Sequence, residues 1–220
     1  MKIRVLNRPA VPTRAVHLTP TRIAIRSRPL RILDFDCEAR PLHWISGDFV
    51  SKEVTAIAWK WIDEPGPVVC YQLGVVDPQV MLQAFCVVYE QADLVTGHYI
   101  RGYDLQMING ALTEYALPTL SDKLTQDTKI DLVRRQGLSS SQENLGVMLN
   151  LDHPKVSMDQ SRWRAANRLT PEGLAVVRER VIGDVCQHIE LRKRLLDLGY
   201  LGPPRMWYSK SVIPAVPYTP

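Results

Sequence analysis

The chain has 220 residues, 45% of them hydrophobic and 23% charged, with a formal net charge of +4. This composition excludes a mainly disordered, collagenous or coiled-coil protein and predicts one domain with room for a sizeable core. No apolar run approaches the roughly 18 residues that cross a bilayer, so no membrane-spanning segment is predicted. The N-terminus lacks the apolar core and cleavage site of a secretory signal. Cys37, Cys70, Cys86 and Cys186 are scattered without a C-x-x-C pair, so the expectation is reduced thiols in a cytoplasmic setting.

The charge is uneven. Lys2, Arg4, Arg8, Arg14, Arg22, Arg26, Arg28 and Arg31 fall within residues 1–33, which hold no acid, and the remainder is net negative. A basic arm attracts polyanions. Pro9, Pro12, Pro20 and Pro29 break any long amphipathic helix there, which speaks against a transit peptide. Residues 1–29 are therefore read as a basic arm or an added edge strand.

From residue 30 onward, Leu30 to Cys37 reads as a strand ending in acids. Val54 to Ile62 and Val68 to Leu73 read as two more strands, joined by the turn residues Asp63 to Pro67 into an antiparallel hairpin. Asp77-Pro78 opens a helix whose apolar face is Met81, Leu82, Phe85, Val88 and Tyr89. Ala92 to Gly97 is a short apolar run before a helical stretch from Asp104 to Tyr115. Thr128 to Val133 fits either a short strand or a helix start. Ser140 to Leu149 reads as a helix with Ser141 as N-cap, and residues 171–198 carry the longest helical pattern, opened by Thr170-Pro171-Glu172. Residues 202–220 hold Pro203, Pro204, Pro214, Pro217 and Pro220 and read as an extended tail. Strands followed by alternating helices and strands predict an α/β sheet of mixed direction.

Three acidic sites stand out. Asp36 and Glu38, two apart on a strand, share a face, and carboxylates that close repel unless a cation lies between them. Alone, such a pair is equally a solvated one. Asp34 belongs to the same face by alternation, although it lies further from the strand's end. Asp104 follows the glycine loop Gly97-His98-Tyr99-Ile100-Arg101-Gly102-Tyr103 and could be an ordinary helix cap. Asp184 interrupts the apolar pattern of the C-terminal helix, where an ion-pair role is equally open.

In this order and spacing, the three sites resemble the exonuclease motifs of the DEDD, or DnaQ-like, superfamily of 3′→5′ exonucleases, related to the proofreading subunits of DNA polymerases. Asp36-Cys37-Glu38 is similar to the first motif, Gly97 to Asp104 to the second, and Asp184 to the aspartate of the third. Thr55 to Trp59, Asp127-Thr128, and the Ser140 to Leu149 helix with Lys155 and Trp163 after it also fit. The resemblance spans about residues 30–198.

The resemblance implies a ribonuclease H-like α/β fold for residues 30–201, with a mixed sheet, antiparallel in its first three strands, flanked by helices. It implies two divalent cations, Mg²⁺ or Mn²⁺, held by Asp36, Glu38, Asp104 and Asp184, and release of nucleoside 5′-monophosphates from a single-stranded or frayed DNA end. An exoribonuclease, or a degenerate domain that only binds nucleic acid or serves a polymerase, are the alternatives. Two departures stand out. The second motif usually has Asn where this chain has Tyr99. The third usually has Tyr four residues, or His five residues, before its Asp, where this chain has Arg180 and Glu179. Arg180 is expected to orient Asp184, to stabilise phosphate charge, or to form an ion pair. His188, on the same helix face, lies on the wrong side of the motif to be the missing base. His98, Tyr99, Trp44 and Arg101 are candidates for substrate contact, Tyr103 for stacking or core packing, and Lys129, Arg134 and Arg135 for backbone phosphates. Trp59 and Trp61 are expected to pack, and Cys37 to point away from the carboxylates.

Overall fold

The computed structural model describes residues 28–42, 50–133 and 137–209. The expected arm (apart from Arg28 and Pro29), Trp44, Arg134, Arg135 and the tail beyond residue 209 lie outside the described residues.

Strands β1 (Ile32–Pro41), β2 (Lys52–Trp61) and β3 (Val69–Gln72) pair antiparallel, with the Asp63 to Pro67 turn between the last two. Helix α1 (Pro78–Gln91) starts where Asp77 caps the Gln79 and Val80 N–H groups. Strand β4 (Leu94–Gly97), helix α2 (Asp104–Glu114) and strand β5 (Lys123–Asp127) follow. Then come α3 (Gln142–Met148), α4 (Gln160–Asn167), the long α5 (Pro171–Asp197) and the short β6 (Arg205–Trp207). Among the described residues these strands form one sheet of order β3-β2-β1-β4-β5-β6, in which β1, β4 and β5 run parallel and β6 is antiparallel to β5. This is the expected mixed α/β sheet, antiparallel in its first three strands and flanked by helices.

Four details depart from the sequence expectation. β1 runs past Cys37 to Pro41, with a bulge between Glu38 and Ala39, so Glu38 belongs to the strand itself. β5 has little apolar patterning because its buried Thr125 and Gln126 are satisfied by hydrogen bonds to the Arg205 and Gly202 carbonyls, both 2.9 Å. Thr128 to Val133, which fits strand or helix by sequence, is a turn following β5. α4 buries only Ala166 fully, so it shows almost no apolar stripe.

Strand alternation then sorts the chemistry. Leu33, Phe35, Cys37, Ile57 and Trp59 face one side and pack with Met81, Phe85, Leu105 and Ile108 of α1 and α2. The other side of β2 presents Ala56 and Ala58 to Val177, Val181 and Val185 of α5. Small residues let α5 lie close to the sheet, and on that side β1 shows Asp34, Asp36 and Glu38. The helix that covers this face carries Asp184.

Candidate metal centre and cleft

Asp36, Glu38 and Asp184 each offer a carboxylate oxygen within 4.8 Å of the others. These oxygens lie in a cleft of about 290 Å³ that is also lined by His98, Tyr99, Tyr103, Asp104, Lys129, Gln142, Lys155 and Arg180. Asp104, the first residue of α2, points its Oδ1 at the Cys37 N–H, 3.0 Å away, so it is tied to the middle of the first motif through the backbone. The Cys37 side chain itself is in the core, as expected from alternation.

Burial raises the Asp36 carboxyl well above the usual carboxylate range, and the charges of Asp104, Asp184 and Glu38 push it further. Burial likewise raises Asp104 to about 7, against the hydrogen bonds from Cys37. Glu38 is raised by burial and restrained by Arg180. The physical cause is shared: several carboxylates are crowded into a site with too little positive charge. One oxygen states it directly, since the buried Asp184 Oδ1 has no hydrogen-bond partner. The donors are all hard oxygens, which suits Mg²⁺ or Mn²⁺ and not a thiolate-seeking metal.

Two cations supply part of the missing charge. Arg180 Nε donates to Glu38 Oε1 at 2.6 Å, and its Nη2 lies 3.6 Å from Asp184 Oδ2. The same guanidinium donates to the Val156 carbonyl at 3.0 Å and faces the Trp163 ring at 5.3 Å. Lys155 Nζ lies 3.2 Å from Asp184 Oδ2. Glu179 is exposed on the opposite side of α5 and takes no part.

The second-motif loop divides the remaining candidates. Tyr99 stands at the cleft with 40% of its surface exposed and φ of 70°, and Lys129 Nζ lies 4.2 Å above its ring. A left-handed backbone favours Asn over an aromatic residue, so Tyr99 is held here against its backbone preference. Gly102 makes room for the ring: a Cβ there would sit 2.3 Å from Tyr99. Tyr103 lines the cleft as well, with Lys52 Nζ 4.8 Å from its ring, so it is not a core residue. Arg101, in contrast, turns its guanidinium to the buried Asp131 and does not line the cleft. Trp59 stacks on Tyr71 in the core, and Trp61 lies under Arg31.

No protein-family model matches this chain, and no curated protein matches it in sequence. Among solved structures, the family B DNA polymerase from the hyperthermophilic archaeon Pyrobaculum calidifontis matches with a TM-score of 0.57 at 16% identity. The match covers 77% of this chain and 25% of the polymerase. The likeness is one of fold. This chain spans about a quarter of the length of that polymerase, whose activity belongs to that protein.

Two sets of residues escaped sequence reasoning. Asp127 accepts the N–H groups of Tyr99, Lys129 and Ile130 at 3.0 Å each and of Arg101 at 3.1 Å, and so shapes both loops at the cleft. The adjacent pair Asp127-Thr128 was the only signal for it. The other set is a buried chain in which His188 Nδ1 meets Asp34 Oδ2 (2.6 Å), and Thr128 Oγ1 meets both His188 Nε2 (2.9 Å) and His98 Nδ1 (3.0 Å). Asp34 and His188 are thereby committed to each other and do not join the metal-ligand group. Burial lowers His98 to about 3, which keeps its imidazole neutral beside the cleft. No described helix is long and apolar enough to cross a membrane.

Proposed function

We propose that this protein is a metal-dependent 3′→5′ exonuclease that releases nucleoside 5′-monophosphates from single-stranded DNA or frayed duplex ends. The observation that carries the reading is the convergence of Asp36, Glu38 and Asp184 oxygens within 4.8 Å, with Asp184 Oδ1 buried and unpartnered, in the motif order of the resembled exonucleases. The fold likeness to a DNA polymerase agrees with a nucleic-acid substrate and with a partner in replication. The polarity rests on the family resemblance.

Asp36, Glu38 and Asp184 would hold a divalent cation, with Asp104 reaching the centre from α2. When bound, the cation would acidify a water and stabilise charge on the phosphodiester. The chain's own residues then divide the work. Asp104 is held by the Cys37 N–H in a fixed orientation. Arg180 and Lys155 fix the rotamers of Glu38 and Asp184 and present positive charge where a phosphate would carry negative charge. Tyr99 gives a terminal base a face to stack on, and Lys129 beside it suits a backbone phosphate. The neutral His98 offers no charge and acts as a hydrogen-bonding wall.

The second reading, a nucleic-acid-binding module without catalysis, is favoured by one observation: Arg180 already pairs with Glu38 and Asp184. A panel of 5′- and 3′-labelled DNA and RNA oligomers, with Mg²⁺, Mn²⁺ or chelator, separates the readings. Metal-dependent release of mononucleotides from the 3′ end is expected, abolished by Asp36→Asn. Binding without cleavage under every metal condition would select the module, and preferential loss of RNA would select an exoribonuclease.

A further inference from the structure

The resemblance implies two ions, but the centre carries its own positive charge. Four carboxylates (Asp36, Glu38, Asp104 and Asp184) line the cleft; the Arg180 guanidinium and the Lys155 ammonium pair with them, while the Lys129 ammonium lies over the Tyr99 ring. The formal balance of the four acids and the two cations paired with them is two negative charges, which one divalent ion neutralises and two would reverse. The geometry agrees. The ligand group is a single set of three oxygens, close enough together for one ion of the size of Mg²⁺ or Mn²⁺. Arg180 takes one Glu38 oxygen and approaches Asp184 Oδ2, while Asp184 Oδ1 is left unpartnered.

We infer that this centre holds a single divalent ion, and that the Arg180 guanidinium stands in the electrostatic place of the second. The inference rests on the metal-dependent reading above. Arg180 is not held by the carboxylates alone, which an arriving ion would claim. The Val156 carbonyl at 3.0 Å and the Trp163 face at 5.3 Å anchor the guanidinium independently of them. Only 14% of its side chain is exposed, so it has little solvent to retreat into. The residue that replaces the family's Tyr or His therefore changes the ion count and not only the source of the proton acceptor. Arg180 contributes a fixed charge that needs no metal concentration to be present, whereas Lys155 contributes its charge to Asp184 alone.

Mn²⁺ binding to the full chain tests this, read by calorimetry and by electron paramagnetic resonance, with and without a nucleoside 5′-monophosphate. Wild type is expected to bind one Mn²⁺ with the spectrum of an isolated ion. Arg180→Gln, which removes the charge and keeps a polar side chain, is expected to bind a second Mn²⁺ and to show spin coupling between the two. Arg180→Lys keeps the charge and should stay at one. Two coupled ions in wild type, or a single ion in Arg180→Gln, would overturn the inference and leave the metal-dependent reading standing. No Mn²⁺ bound by wild type would instead remove that reading. Should Arg180→Gln not fold, Arg180→Met removes the charge while keeping an unbranched side chain to pack on Trp163, and an unchanged single ion there counts equally against the inference.

Discussion

Two groups of acidic residues around the same cleft are treated in opposite ways. Asp127 and Asp131 are buried, and every one of their carboxylate oxygens is matched. Asp127 collects four backbone N–H groups, while Asp131 accepts the Asp127 N–H at 2.9 Å and pairs with Arg101. Asp36, Glu38 and Asp184 have two cations between them, and the buried Asp184 Oδ1 has no partner. Burial of an acid is therefore no mark of a site. Nor is a single unmatched oxygen, since the buried Asp34 Oδ1 also lacks a partner; the first group spends its charge on holding loops, whereas the second converges several carboxylates and keeps charge available for something outside the chain.

The contrast can be broken by mutation, and the largest effect belongs to the matched group. Asp127→Ala strands four N–H donors in a buried loop and is expected to destabilise the fold by about 3–5 kcal/mol, in the range seen when a buried charged partner is removed. Urea unfolding measures it; a loss below one kcal/mol would place the loop's stability elsewhere. Asp36→Asn should do the reverse. Cleavage falls at least about 10²–10³-fold, as when a preorganised charge-stabilising group is lost, yet the metal-free protein melts no lower than wild type because a repelling charge has gone. A melting temperature several degrees lower would mean that Asp36 holds the fold.

Titration sharpens the same comparison. Asp104, raised to about 7 by burial, keeps a proton in the folded protein that the unfolded chain gives up near pH 4. The folded state binds more protons in that window, so the metal-free protein loses stability as pH rises from about 4 to about 7, by up to about 1.4 kcal/mol per pH unit for one such group. Mg²⁺, by taking the proton's place, should flatten the slope. Thermal unfolding across that range, with and without Mg²⁺, checks both halves, and a metal-free slope of the opposite sign would contradict the crowding of carboxylates described above. The smallest effect is expected at Tyr99. Tyr99→Asn relieves a left-handed aromatic residue and should stabilise the fold by about 1 kcal/mol, while weakening single-strand binding by about 1–3 kcal/mol through the lost stacking face. Fluorescence anisotropy with a short oligomer separates the two, and unchanged binding would take the ring out of the substrate path.

How legible this was in the sequence follows the same divide. Asp36 and Glu38 could be read as sharing a face because strand alternation is local, whereas Asp184 was joined to them only by the resemblance in motif order. The central strands and long helices were equally readable from apolar patterning. β5 and α4 were not, because Thr125 and Gln126 are buried by hydrogen bonds and α4 meets its neighbours with almost no apolar stripe. The pairing of Arg101 with Asp131 was not legible, since nothing local announces a partner thirty residues away. The pairing of Asp34 with His188 spans 154 positions and lies beyond any motif. Arg180 was recognised as a departure, but its grip on both Glu38 and Val156 needed the fold.

The short strand β6 has a consequence for the order of assembly. Residues 202–205 supply the carbonyls that satisfy Gln126 and Thr125, the Gly202 N–H donates to the Asp131 carbonyl at 2.8 Å, and Arg205 Nε stands 3.5 Å from the Asp131 carboxylate. Asp131 in turn supports Asp127, on which the Tyr99 loop hangs. These contacts join positions some 75–80 apart, so they form late and slowly compared with the hairpin of β2 and β3. During synthesis the clustered acids Asp36, Glu38 and Asp184 are all present before residue 202 emerges, but the loop that completes the cleft is not braced until it does. A ribosome-bound chain stopped short of β6 would hold the clustered acids without the finished cleft, so residues 202–207, at the start of the stretch that reads as a proline-rich tail, would supply the closing step of folding.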